Sequence, residues 1–228
     1  LMGAAAKVTS LGSGDIALTA APNPTPGEGT DLSLNAATAI QTASGDIVLR
    51  TNQVTSSLGT LSSTDGGRLL IQTWSADRNI RIATTADANA LNLTAAGLNG
   101  IQDGFSEIVI GREDGSGAIA VGTYVFKDNL TIRTPTGNGD ITLAGALATG
   151  SGAQAGDITL LAGSNIVGNS GASITTQGQA IVLNADRDAT NGGNIQLTNT
   201  TIASNSGNIT LGGGANPLTT AAIGSGTS

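Results

Sequence analysis

The chain has 228 residues, 34 of them Gly and 5 Pro, with no Cys, no His, 2% aromatic residues and a formal net charge of −7. A hydrophobic fraction of 39% against 11% charged sets it apart from solvated disordered tails, and it has neither a Gly-X-Y period nor an apolar run near the ~18 residues that cross a bilayer. Without Cys or His there is no disulfide, thiolate zinc site, cysteine nucleophile or imidazole base, and nine Lys and Arg scattered from Lys7 to Arg187 argue against a nucleic-acid partner.

One five-residue phrase, Gly-(Asp or Asn)-Ile-x-Leu, sets the rhythm of the chain. It appears first at 14–18, with Asp15, and returns at 45–49, with Asp46. Between these copies, Asn23-Pro24-Thr25-Pro26-Gly27-Glu28-Gly29 predicts a loop insertion near 21–30, because two prolines cannot join a β-ladder. The Ser/Thr-rich interval 53–67 predicts a second insertion. Next comes Leu69-Leu70-Ile71; if Leu69 and Ile71 point inward, alternation turns Trp74 outward. Looser copies follow at 79–82, 90–93 and 107–110, then the charged triplet Arg112-Glu113-Asp114. Tyr124 and Phe126 share the parity of Leu130 and Ile132 and read as core or corner residues. Full phrases at 139–143 (Asp140), 156–160 (Asp157), 193–197 (Asn194) and 207–211 (Asn208) complete the series, with Asp186-Arg187-Asp188 in a predicted loop.

Each phrase is a turn signal followed by an apolar-x-apolar triplet, the two-residue period of a short strand with one buried face, and no stretch sustains a helical period. The inward positions 69, 80, 91 and 119, 130, 141 step by 11, and 174, 181, 195, 202, 209 by 7 or 14. Such steps predict winding: an all-β parallel β-helix, or β-solenoid, of about 20 residues per coil, about 11 coils and about 50 Å in length. A sandwich or barrel would want two-residue hairpin turns and aromatic-rich strands, whereas a narrow solenoid interior wants the stacked Ile, Leu, Val and Ala found here. The whole of 1–228 reads as one solenoid segment of a longer repetitive chain, with ends that lack amphipathic caps.

The repeat resembles that of filamentous-haemagglutinin-type bacterial surface exoproteins, and the stretch 108–117 with 125–132 is similar to repeats of very large cyanobacterial surface proteins. The resemblance implies a right-handed β-helical shaft in a secreted or cell-surface fibre. It carries no functional residue across.

Asp15, Asp46, Asp140 and Asp157 could form a ladder that binds calcium along one edge; the plainer reading is that Asp and Asn tolerate left-handed turns and cap their own backbone beside the Gly. Trp74 is a candidate contact for a sugar or, alternatively, covers a corner. Asp186-Arg187-Asp188 and Arg112-Glu113-Asp114 are the carboxylate clusters that a carbohydrate-cleaving β-helix would need, set in sequences that read as solvated loops. The leading expectation is a non-enzymatic structural and adhesive rod that self-associates end to end or laterally, without a cofactor. The alternative is a carbohydrate-binding or carbohydrate-degrading β-helix, with a surface polysaccharide as partner.

Overall fold

A computed structural model describes residues 6–21, 32–54, 57–190 and 192–222. Twenty-one short strands form among them: β1 (Lys7–Ser10), β2 (Ile16–Ala20), β3 (Ala39–Thr42), β4 (Ile47–Thr51), β5 (Thr60–Ser63), β6 (Leu69–Gln72), β7 (Asn79–Ile82), β8 (Ala90–Leu93), β9 (Ile108–Ile110), β10 (Ile119–Val121), β11 (Tyr124–Phe126), β12 (Leu130–Thr134), β13 (Ile141–Leu143), β14 (Ala146–Thr149), β15 (Ile158–Ala162), β16 (Ile166–Gly168), β17 (Ser173–Thr175), β18 (Ile181–Ala185), β19 (Ile195–Leu197), β20 (Thr201–Ala203) and β21 (Ile209–Gly213). One helical turn, α1 (Ala95–Leu98), follows β8, and Thr94 caps it by accepting the Gly97 N–H at 3.1 Å.

All the strand pairs are parallel, and they stack into the faces of a β-solenoid. The long sheet runs β2-β4-β6-β9-β12-β15-β18-β21, and a second runs β19-β16-β13-β10-β7-β8. The third face is made by β1-β3-β5, carried on by the bridge from Leu61 to Ile101, and by β11-β14-β17-β20. Register explains the phrase. In four copies its Ile falls in one column of the long sheet, Ile16–Ile47–Leu69–Ile108–Leu130–Ile158–Ile181–Ile209, and in the other two Ile141 and Ile195 take the matching place in the second sheet. Two residues on, Leu49, Ile71, Ile110, Ile132, Leu160 and Leu183 form a second column, buried like the interior members of the first. Each such side chain contributes about 1.5–3 kcal/mol by leaving water, and like residues stacked one rung apart fill a narrow interior without large voids.

The coils are longer than about 20 residues. Neighbouring rungs of the long sheet are 22 residues apart at the shortest and, from Leu69 to Ile108, 39 at the longest, with 23, 28 and 31 also occurring. The long sheet therefore has eight rungs among the described residues, where about 11 coils were expected of the whole chain, and it spans about 34 Å at the usual strand spacing. The longest step, from Leu69 to Ile108, holds the additional strand β8 and the turn α1. The predicted insertion near 21–30 lies, from residue 22 onward, outside the described residues. The interval 53–67 is not a loop throughout: it contains β5, with Leu58 and Leu61 fully buried, because Ser and Thr suit a strand whose hydroxyls reach a carbonyl, as Ser63 Oγ reaches Ala43 O at 2.6 Å.

One strand breaks the sequential order. β8 pairs with β7 on the side away from β10, so the chain steps back before α1 leads it to the third face. The step of 11 thus has two origins: from Leu69 to Ile80 it crosses between sheets, but from Ile80 to Leu91 it joins two paired strands of one sheet. Phe126 is buried, and Tyr124 packs edge-on against it with ring centroids 4.8 Å apart, as their parity predicted.

Candidate functional site

The Gly-Asx corner is the structural unit that repeats most closely. The N–H of Asp46 donates to Asp15 Oδ1 at 2.8 Å while the N–H of Ile16 donates to the carbonyl of Asp46, also at 2.8 Å. The same two-bond lock joins Asp46 to Arg68, Asn129 to Asp157, and Asp157 to Ala180 along the long sheet. It joins Asn79 to Ala118, Asp140 to Asn165, and Asn165 to Asn194 along the second sheet. The Asx side chain is therefore an acceptor for the next coil. It is not a left-handed turn residue: none of Asp15, Asp46, Asp140, Asp157, Asn194 and Asn208 has a positive φ. The preceding Gly is there for close approach, since a Cβ on Gly45 would stand 2.2 Å from the Gly14 carbonyl oxygen, and one on Gly207 2.0 Å from that of Gln179; Gly67, before Arg68, meets the Gly45 carbonyl in the same way at 2.0 Å.

This geometry disperses the four Asp residues expected as a possible calcium ladder. Asp15 and Asp46 are on adjacent rungs, Asp157 is separated from them by several rungs, and Asp140 belongs to the second sheet. Asp46 holds Arg68 at 2.7 Å; burial pushes its carboxyl up, but the Arg68 hydrogen bonds and charge outweigh that and hold it below the usual carboxylate range. Among the described residues no group of three or more acidic side chains is placed to hold a metal ion.

The outer surface of the long sheet gathers side chains that the sequence leaves far apart. A groove of about 430 Å³ is lined there by Arg50, Arg68, Arg112, Arg133, Glu113 and Asp114, with Leu70 and Gln72 completing its wall. A second, of about 370 Å³, continues past Arg133 and Leu161 to Arg187. Trp74 lies just beyond β6 and faces outward as expected, 36% exposed, with the Arg50 guanidinium 5.0 Å from its ring centroid. Its carbonyl accepts from Arg112 Nη1 at 2.7 Å and from Arg50 Nη2 at 3.4 Å.

The two carboxylate clusters resolve differently. Arg112 and Asp114 form a bidentate pair at 2.7 and 2.7 Å, and Glu113 reaches Arg133 at 3.2 Å. The Arg112 guanidinium is the first cause of the lowered Asp114 carboxyl. Asp186-Arg187-Asp188 does not surround a guanidinium: Asp186 is buried with φ 51°, Arg187 borders the outer groove, and Asp188 accepts the Gly137 N–H at 2.7 Å.

Two features escaped the sequence reading. Arg50 and Arg133 occupy the same place in their repeats, directly after Leu49 and Ile132, and aligning the repeats would have put both on one outer row. Asp128, 7% exposed, accepts the Gly104 N–H at 3.1 Å through Oδ1, while its Oδ2 is buried without a hydrogen-bond partner. Burial pushes this carboxyl up to about 6; the N–H groups of Gly104 and Phe105 oppose the rise and the neighbouring Asp103 adds to it.

No family model, curated protein or solved structure matches the chain.

Proposed function

We propose that this chain is a non-enzymatic structural and adhesive segment of a bacterial cell-surface or extracellular-matrix fibre, a rigid rod that associates with its own kind. The observation that carries this reading is the final rung of the long sheet among the described residues. Ile209 and Leu211 are 46% and 49% exposed, whereas Ile181 and Leu183, which pair with them one rung below, are fully buried. A further rung in the same register would cover both side chains and pair the edge of β21, the arrangement by which solenoids grow. The secreted or surface setting is supported by low charge, absent Cys and the resemblance of the repeat.

Sedimentation velocity and negative-stain electron microscopy test the reading. The chain is expected to form end-to-end oligomers or thin filaments as concentration rises, and the double substitution Ile209→Lys, Leu211→Lys is expected to keep it monomeric with an unchanged circular dichroism spectrum. Isolated compact particles at every concentration would overturn it. The alternative, a carbohydrate-binding domain, is favoured by one observation of its own, the cationic outer groove of the long sheet.

A further inference from the structure

Five of the nine Lys and Arg residues of the chain, Arg50, Arg68, Arg112, Arg133 and Arg187, border the two adjoining grooves on the outer surface of the long sheet. The chain as a whole carries −7, yet the larger groove sets four guanidiniums against two carboxylates. Asp46 takes up Arg68, which leaves Arg50, Arg112 and Arg133 facing Glu113 and Asp114 there, with Arg187 in the adjoining groove.

The cations and anions of that face are held differently. The guanidiniums are fixed from beneath by main-chain carbonyls: Arg112 by Thr73 and Trp74 at 3.2 and 2.7 Å, Arg133 by Gly111 at 3.4 Å, and Arg50 by Trp74. The side chains of Arg112 and Arg133 are 13% and 16% exposed, whereas their partners Asp114 and Glu113 are 66% and 85% exposed. Anchored cations whose carboxylate partners stand out in solvent form a preorganised anion site, occupied by those side chains in the absence of a ligand. Arg50 and Arg133 stand three rungs apart, about 14 Å at the usual strand spacing, so the charges recur along the rod and not around it.

We infer that this face binds an acidic polysaccharide lying along the rod, with uronate carboxylates displacing Glu113 and Asp114 from Arg133 and Arg112. A shallow open groove that follows the rod axis suits an unbranched polymer with charge at regular intervals. The part-exposed ring of Trp74, beside Arg50 at one end of the groove, offers an apolar surface to the face of a sugar. Nucleic acid is disfavoured by the net charge of the chain. The inference is independent of assembly at the rod ends.

The test is isothermal titration of the chain with polygalacturonate, with neutral galactan and poly-glutamate as comparison polymers, at low and high salt. Polygalacturonate is expected to bind, to weaken with salt, and to lose about tenfold in affinity, about 1.4 kcal/mol, in the double variant Arg133→Gln, Arg187→Gln. Glu113→Gln removes a competing carboxylate and is expected to tighten binding about threefold, an effect that mere loss of structure cannot produce. Thermal melts of each variant confirm an intact fold. Failure of polygalacturonate to bind at low salt, equal affinity in the arginine variant, or equal binding of galactan would overturn the proposal. Equal binding of poly-glutamate would replace the polysaccharide with an acidic protein.

Discussion

Gly67 and Asp46 divide the work of one corner between them: the glycine lets a carbonyl of the coil below approach, and the aspartate accepts an N–H from the coil above. Gly67→Ala is expected to destabilise the chain by about 3 kcal/mol, the scale of overpacking. Gly12→Ala, where an added Cβ meets nothing within 4 Å, is expected to be neutral or slightly stabilising. Urea denaturation distinguishes the two. Asp157→Asn keeps the acceptor for Ala180 and is expected to cost under about 0.5 kcal/mol, against about 1 kcal/mol for Asp157→Ala. The Gly-Asx pair was plain in the sequence, but its meaning was not, because the partner that forbids a Cβ or donates the N–H is a coil away. Asp128 gives a dependence on pH opposite in sign to that of the paired carboxyls of Asp46 and Asp114. Its folded carboxyl lies near 6, above the ordinary value of 3.8, so the folded chain holds a proton that the unfolded chain releases between those limits. Stability is therefore greatest below about 4 as far as this group is concerned, and it is lost as pH rises through about 6, by up to about 3 kcal/mol. Asp128→Asn, which keeps an oxygen for Gly104, is expected to raise the melting temperature at pH 7 and flatten the profile between about pH 4 and 6.

Strands were the most legible level. The apolar-x-apolar triplets locate the inward columns correctly, from Ile47 and Leu49 through to Ile181 and Leu183, because alternation needs no knowledge of neighbours. Leu160→Ala, at a fully buried site within the column, is expected to cost 2–5 kcal/mol, roughly the range for buried Leu-to-Ala changes, whereas Leu211→Ala on the open rung should cost far less. Coil length was less legible. A step of 11 residues describes both a crossing between sheets and the pairing of β7 with β8, and spacing alone cannot tell these apart. The interval 53–67 misled for a chemical reason: Ser and Thr read as loop formers, yet Thr60–Ser63 builds β5 with Leu61 and Ser63 buried.

For the whole molecule, the arginines scattered along the sequence converge only once the coils stack, so the net charge of −7 described the chain but not its long face. The backward step at β8 matters at the same scale. Drawn from its C-terminal end, the rod would release β21, then each lower strand of the long sheet, always from an exposed edge. β8 instead ends the second sheet with β7 as its strand partner, and its Asn92 and Leu93 line a cavity of about 240 Å³ together with Val54, Ser57 and Leu58. The coil that holds it takes 39 residues from Leu69 to Ile108, against 28, 23, 28 and 22 for the coils above. A single-molecule stretching trace should therefore show one release clearly longer than those before it. The backward step stores spare length in the middle of the rod, paid out under tension only after the upper coils have gone.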